Sequence, residues 1–145
     1  MRHVFIIGLV AMSGLIIGCK GQVSKVCFES KCVVVEVAQT SEKLSEGLQY
    51  RERLDKGKGM LFVFPGPSKA KFWMKNTLIP LDMIWLNSIG EIIYIKKTAP
   101  PCFSETCPTY GTDDLAQYVL EVNAGFADAY NVNVGDGVQI KIETK

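Results

Sequence analysis

Between Met60 and Lys97 the chain is cut at short intervals. Apolar segments of strand length, Met60–Phe64, Lys71–Thr77, Leu81–Leu86 and Ile92–Lys97, alternate with Pro65-Gly66-Pro67, Ile79-Pro80 and Asn87-Ser88-Ile89-Gly90. Proline lacks a backbone donor and stops helices, and glycine readily takes up positive φ. Segments this short favour antiparallel strands joined by turns over helices. Leu86 and Glu91 flank the clearest hairpin turn, with Gly90 available for a positive φ. The continuous apolar run Ile92–Ile95 predicts a strand buried on both faces.

The same pattern extends to the rest of the chain. The β-branched run Val33-Val34-Val35 with Val37 predicts a first strand over Cys32–Ala38. Thr40 and Ser41 can cap a short helix over Glu42–Arg51, where Leu44 and Leu48 lie four apart on one face. Gly57-Lys58-Gly59 then forms a loop. Beyond a long loop carrying Cys102 and Cys107, Tyr118–Val122 reads as a strand and Ala124–Tyr130 as a short helical turn. Gly135-Asp136-Gly137 turns the chain into a last strand, Gly137–Ile142, with alternating Val138, Ile140 and Ile142. About seven short strands and two short helices predict a mainly β fold, a small antiparallel β-sandwich or partly closed barrel. A chain of 145 residues, 48% hydrophobic, has material for one such domain.

The N-terminus carries a different signal. Met1-Arg2-His3 is short and basic, Val4–Ile17 is almost purely apolar, and Gly18 precedes Cys19. That order predicts a lipoprotein signal peptide over residues 1–18, with Cys19 lipidated as the new N-terminus. The apolar run is shorter than the roughly 20 residues a spanning helix needs. The expected organisation is a leader over 1–18, a lipid-anchored tether over 19–31 and a single β-rich domain over 32–145. The membrane is then a partner through the lipid, and the protein faces the periplasm or the exterior. Lys20 follows the cysteine in place of the aspartate that signals inner-membrane retention. The whole chain has 16 Lys and Arg against 15 Asp and Glu; Arg2 lies in the leader, so the mature balance is zero. Zero net charge argues against nucleic acid as a partner, because phosphate binding rests on excess basic side chains.

Four further cysteines form two local pairs, Cys27 with Cys32 and Cys102 with Cys107, each with four residues between. In an oxidising compartment the expectation is two disulfides and no metal. A four-thiolate zinc site is the alternative use of the same spacing.

Several blocks together resemble a known family. Gly47-Leu48 with Arg51, Gly59-Met60-Leu61-Phe62, Phe72-Trp73-Met74-Lys75-Asn76-Thr77, Ile79-Pro80-Leu81-Asp82, Pro101-Cys102, Cys107, Tyr110, Leu120-Glu121-Val122-Asn123-Ala124-Gly125 and Gly135-Asp136 are similar to the domain of unknown function 192. The likeness runs from about Val33 to Ile142. It implies a compact, mostly β fold, often exported, with no agreed activity. The pair Cys27 and Cys32 is extra to that pattern.

The only histidine, His3, lies in the leader. The mature domain therefore lacks Ser-His-Asp, Cys-His and histidine-zinc chemistry, and no cofactor motif is visible. Polar residues set among apolar ones remain. Asn76 alternates with Trp73, Lys75 and Thr77 along its expected strand, Asp82 sits among Leu81, Met83 and Ile84, and Glu121 lies between Leu120 and Val122. One expectation is that Arg51, Lys75, Asn76, Asp82 and Glu121 converge on a polar pocket walled by Trp73, Trp85 or Tyr110, holding a small sugar or peptide fragment. The structural alternative pairs Arg51 with Asp82 or Glu121 and stitches loops to sheet. A third has Asp82 and Glu121 as acid and base of a hydrolase acting on envelope polysaccharide, about 5 to 10 Å apart across an open cleft. Arg53 and Asp136 read as a solvated charge and a turn residue.

Overall fold

The computed structural model describes residues 23–143; the leader and Cys19 lie outside them. Nine strands and two helices follow in order: β1 Lys25–Cys27, β2 Cys32–Ala38, α1 Ser41–Glu46, β3 Lys58–Ser68, β4 Lys71–Trp73, β5 Leu81–Leu86, β6 Ile92–Ala99, β7 Thr109–Gly111, β8 Ala116–Asn123, α2 Phe126–Ala129 and β9 Gln139–Lys141. Seven strands form one sheet in the order β6-β5-β8-β3-β2-β1-β9, and β4 and β7 form a second. The two outer edges of the large sheet approach each other where Glu91 bridges Gly137, with Val138 N donating to Gly90 O at 2.8 Å. The result is a curled half-barrel, the partly closed barrel expected of so many short strands.

Two apolar layers hold it. Inside the curl, Val26, Val33, Leu61, Ile84, Leu120 and Phe126 form one core, against which Val138, Ile140 and Ile142 pack. On the outer face of the central strands, Phe62, Met74, Met83, Trp85 and Val119 form a second, roofed by Phe72 and Tyr110 of the small sheet. Trp85 donates its indole N–H to Ala70 O at 2.9 Å, so the largest core side chain leaves no donor unpaired. Gly59 is required by closeness: a Cβ there would lie 2.7 Å from the Glu121 carbonyl oxygen on the neighbouring strand.

The expected strands at Cys32–Ala38 and Leu81–Leu86 form with those bounds. Others differ for physical reasons. β2 and β3 run parallel, because α1 and the loop after it cross between them. The helix expected over Glu42–Arg51 ends at Glu46, where Gly47 takes φ +52°, ψ −134°. Burial on both faces belongs to β5, all six of whose residues are buried, and not to Ile92–Ile95, since β6 lies at the sheet edge. Pro65-Gly66-Pro67 lies within β3, across an irregular stretch of its pairing with β8. Part of the segment read as tether enters the sheet: β1 pairs with both β2 and β9. Its turn is stapled by a Cys27–Cys32 disulfide, and Cys102–Cys107 closes the loop before β7. With the thiols joined two by two in separate places, the four-thiolate zinc alternative has no ligand set.

Candidate functional site

Glu121 is the residue around which a site can be built. Its flanking residues Leu120 and Val122 point into the half-barrel, so alternation turns Glu121 to the outer layer, beside Met60 and Met83 on the adjacent strands. The residue is 5% exposed, and among the described residues no hydrogen bond reaches its carboxyl. Burial alone pushes its pKa up to about 8. At neutral pH this carboxyl is mostly protonated.

Above it lies a cavity of about 40 Å³ walled by Gly47, Phe62, Phe72, Trp73, Lys75 and Thr77. Gly47 brings the end of α1 close, since a Cβ there would lie 3.2 Å from the Phe62 ring. Phe62 and Phe72 meet edge to face at 4.8 Å. Trp73 stays half exposed, and Lys75 reaches over its ring with the ammonium 5.5 Å from the centre.

The strand expected to carry Lys75, Asn76 and Thr77 breaks after Trp73, and two interlocked left-handed residues replace it. Asn76 has φ +56° and Tyr50 φ +62°. Tyr50 N donates to Asn76 O at 2.8 Å, while Asn76 Nδ2 donates to the Tyr50 hydroxyl at 2.8 Å and to Gln49 Oε1 at 3.3 Å. Cys102 clamps the same segment, its N–H on Met74 O and its C=O accepting from Asn76 N. Asparagine tolerates this backbone better than a β-branched residue. The interlock and the second disulfide together set where Lys75 stands.

The expected convergence is thus only partly formed. Trp73, Lys75 and Glu121 line one cavity, and Asn76 positions the segment beside it. Arg51 lies outside it, in a bidentate pair with Glu36 of β2, 2.7 Å on the longer prong. Its hydrogen bonds hold the Glu36 carboxyl below the usual carboxylate range. The partner of Arg51 is therefore neither Asp82 nor Glu121. Asp82 is fully buried on the opposite face of the sheet: Met83 stands opposite Glu121, so the neighbouring Asp82 points inward. Its Oδ1 accepts from Thr98 N at 2.8 Å and its Oδ2 from Ala127 N at 2.9 Å. Asp82 and Glu121 cannot flank one cleft, and the paired-carboxylate hydrolase loses its geometry. Trp85 is core, and Tyr110 is a roof residue carrying the Lys96 ammonium 5.0 Å above its ring.

Sequence reasoning missed the roles of Gly47, Phe62, Phe72 and Thr77 as walls and of Glu36 as the arginine's partner. The four walls all fall inside the blocks that carry the family resemblance, which was the available signal; Glu36 had none. A broader groove of about 690 Å³ runs past Val23, Val37 and Met60, but its Arg51 and Glu36 already satisfy each other. The smaller cavity is the better site because its polar group lacks a partner.

Fold and cavity define a class: a disulfide-stapled half-barrel with a buried carboxyl under an aromatic-walled opening. The chain belongs to the DUF192 family, described as Uncharacterized ACR, whose model matches residues 24–140. It is 26% identical over 111 residues to a UPF0127 protein of Thermococcus sibiricus, covering 75% of this chain and 67% of that protein. Among solved structures, a candidate transcription regulator of Sinorhizobium meliloti is similar at 33% identity and TM-score 0.73, over 81% of this chain and 91% of that one. A Novosphingobium aromaticivorans protein of unknown function is similar at 34% identity and TM-score 0.69, over 81% and 83%.

Proposed function

We propose that this protein is a lipid-anchored module of the cell envelope that binds a small polar ligand, a sugar or peptide fragment, in the opening between Trp73, Lys75 and Glu121. One observation carries the binding reading: a buried carboxyl with no described partner faces a cavity beside a half-exposed tryptophan. A ligand donor that reaches this carboxyl adds a hydrogen bond worth about 0.5–1.5 kcal/mol if neutral and about 1.5–3 kcal/mol if charged. The exposed ring of Trp73 gives a sugar or peptide a flat apolar surface, with the Lys75 ammonium at its rim. Anchoring rests on the leader and Cys19 alone.

The binding test is a chemical-shift titration of the domain with glucose, N-acetylglucosamine and alanyl-alanine. At least one should move the Trp73 indole and the Lys75 and Thr77 amide resonances saturably, and Trp73→Ala should abolish the amide shifts while leaving the remaining spectrum folded. Saturation with none of these, or undiminished binding by the variant, rejects the reading. For the anchor, Cys19→Ser should release the protein from membranes into the soluble fraction; unchanged fractionation refutes it. The Sinorhizobium protein's description raises nucleic acid as a second reading, but a mature charge balance of zero does not favour it.

A further inference from the structure

We infer that the cavity over Glu121 receives a primary ammonium group, with the Glu121 carboxylate as its counter-ion and Phe62, Phe72 and Trp73 as its walls. The inference rests on the binding reading above and names the part of the ligand that enters.

Size is the first argument. A cavity of about 40 Å³ has room for about three or four water-sized groups, at roughly 10–15 Å³ each. It admits an ammonium and the carbon that bears it, but not a sugar ring, which would stay outside against Trp73. Donor count is the second. Both carboxyl oxygens lack a donor among the described residues, and an ammonium brings three. The third is the wall: aromatic rings attract cations in desolvated settings more strongly than they attract neutral donors.

Charge completes the case. Lys75 and Glu46 are the other charged side chains lining the cavity. Lys75 does not neutralise Glu121: its ammonium lies over Trp73, and burial is the sole cause raising the Glu121 pKa to about 8. In the free protein the compensating charge is therefore a proton. An entering ammonium takes its place, so that Glu121–COOH and R–NH3⁺ give the pair Glu121–COO⁻ and R–NH3⁺, with one proton passing to solvent. A hydroxyl or amide ligand leaves that proton where it is.

The ammonium could belong to an amino sugar or to a peptide N-terminus, and the test separates them. Methylammonium is the minimal probe, with glucosamine and alanyl-alanine for the two sources. N-acetylglucosamine and N-acetyl-alanyl-alanine are the amine-blocked controls. Calorimetry at pH 6.5 in buffers of different ionisation enthalpy counts protons. We expect close to one proton released per methylammonium bound. Its affinity should rise about tenfold per pH unit below pH 8 and level off above. Glu121→Gln should abolish both effects, and the proton count on the unmodified protein decides the matter even if that variant folds poorly. Absence of proton release, or equal affinity for blocked and free amines, overturns the inference. If the blocked compounds then still bind at Trp73, the binding reading survives without it; if no compound binds, both fall.

Discussion

The buried carboxyl of Glu121 should make the stability of this protein depend on pH in a way that one substitution removes. Burial raises its pKa from the ordinary 4.5 to about 8. Between those values the native state keeps a proton that the unfolded chain gives up. The contribution of the neutral carboxyl is therefore fully present below about pH 4.5 and is lost as pH rises towards 8. Each pH unit crossed costs about 1.4 kcal/mol, and the whole interval up to about 5 kcal/mol. That is comparable to the entire stability of many small domains, typically about 5–15 kcal/mol. Glu121→Gln keeps the shape and the polar atoms but does not titrate. Urea unfolding of both proteins at pH 5, 6, 7 and 8, disulfides intact, isolates the effect, because every other group titrates alike in the two. The variant should gain on the parent by about 1 kcal/mol or more per pH unit over this range. Stability curves that stay parallel from pH 5 to 8 would refute a buried, unpartnered carboxyl.

Three other outcomes follow from the same geometry. Asp82→Ala strips acceptors from Thr98 N and Ala127 N, at about 1–3 kcal/mol each, so chemical denaturation should show a loss of about 2–6 kcal/mol. Ligand affinity of the folded fraction should be unchanged, because Asp82 lies on the far side of the sheet from the cavity. Replacing Cys102 and Cys107 together by serine should cost about 2 kcal/mol, given the short loop they close. It should also speed hydrogen exchange at the Asn76 amide, which is held by the Cys102 carbonyl. Arg51→Met should cost under about 1 kcal/mol in unfolding titrations, because both members of its ion pair keep much of their solvent contact.

What could be read from the sequence was what a short window of residues decides. The β-branched run at Val33–Val35 and the stops on either side of Leu81–Leu86 set two strands to the residue, and Gly90 set its turn, with φ +82°. Neighbourhood across the sheet was not legible. The run Ile92–Ile95 is more uniformly apolar than Leu81–Leu86, yet the latter is the strand covered on both faces, because the chain puts β5 between β6 and β8. Likewise nothing in Lys25–Cys27 announces a strand; three residues suffice there because β2 and β9 pair with them on both sides.

The two acids show the limit most clearly. Asp82 follows Leu81 and precedes Met83; Glu121 follows Leu120 and precedes Val122. As local patterns they are equivalent, each a carboxyl among apolar neighbours that must find donors. Their fates diverge at one register, Met83 opposite Glu121, which assigns them to opposite faces of the same pair of strands. Inside the curl, Asp82 meets two backbone N–H groups and becomes a clasp joining β6 to the start of α2. Outside it, Glu121 meets aromatic rings and a cavity, and retains its proton instead. A shift of that pairing by one residue would turn both carboxyls to the same face of the sheet. The chemical difference between clasp and candidate site is therefore a property of the pairing, and it can be assigned only once the strand partners are known.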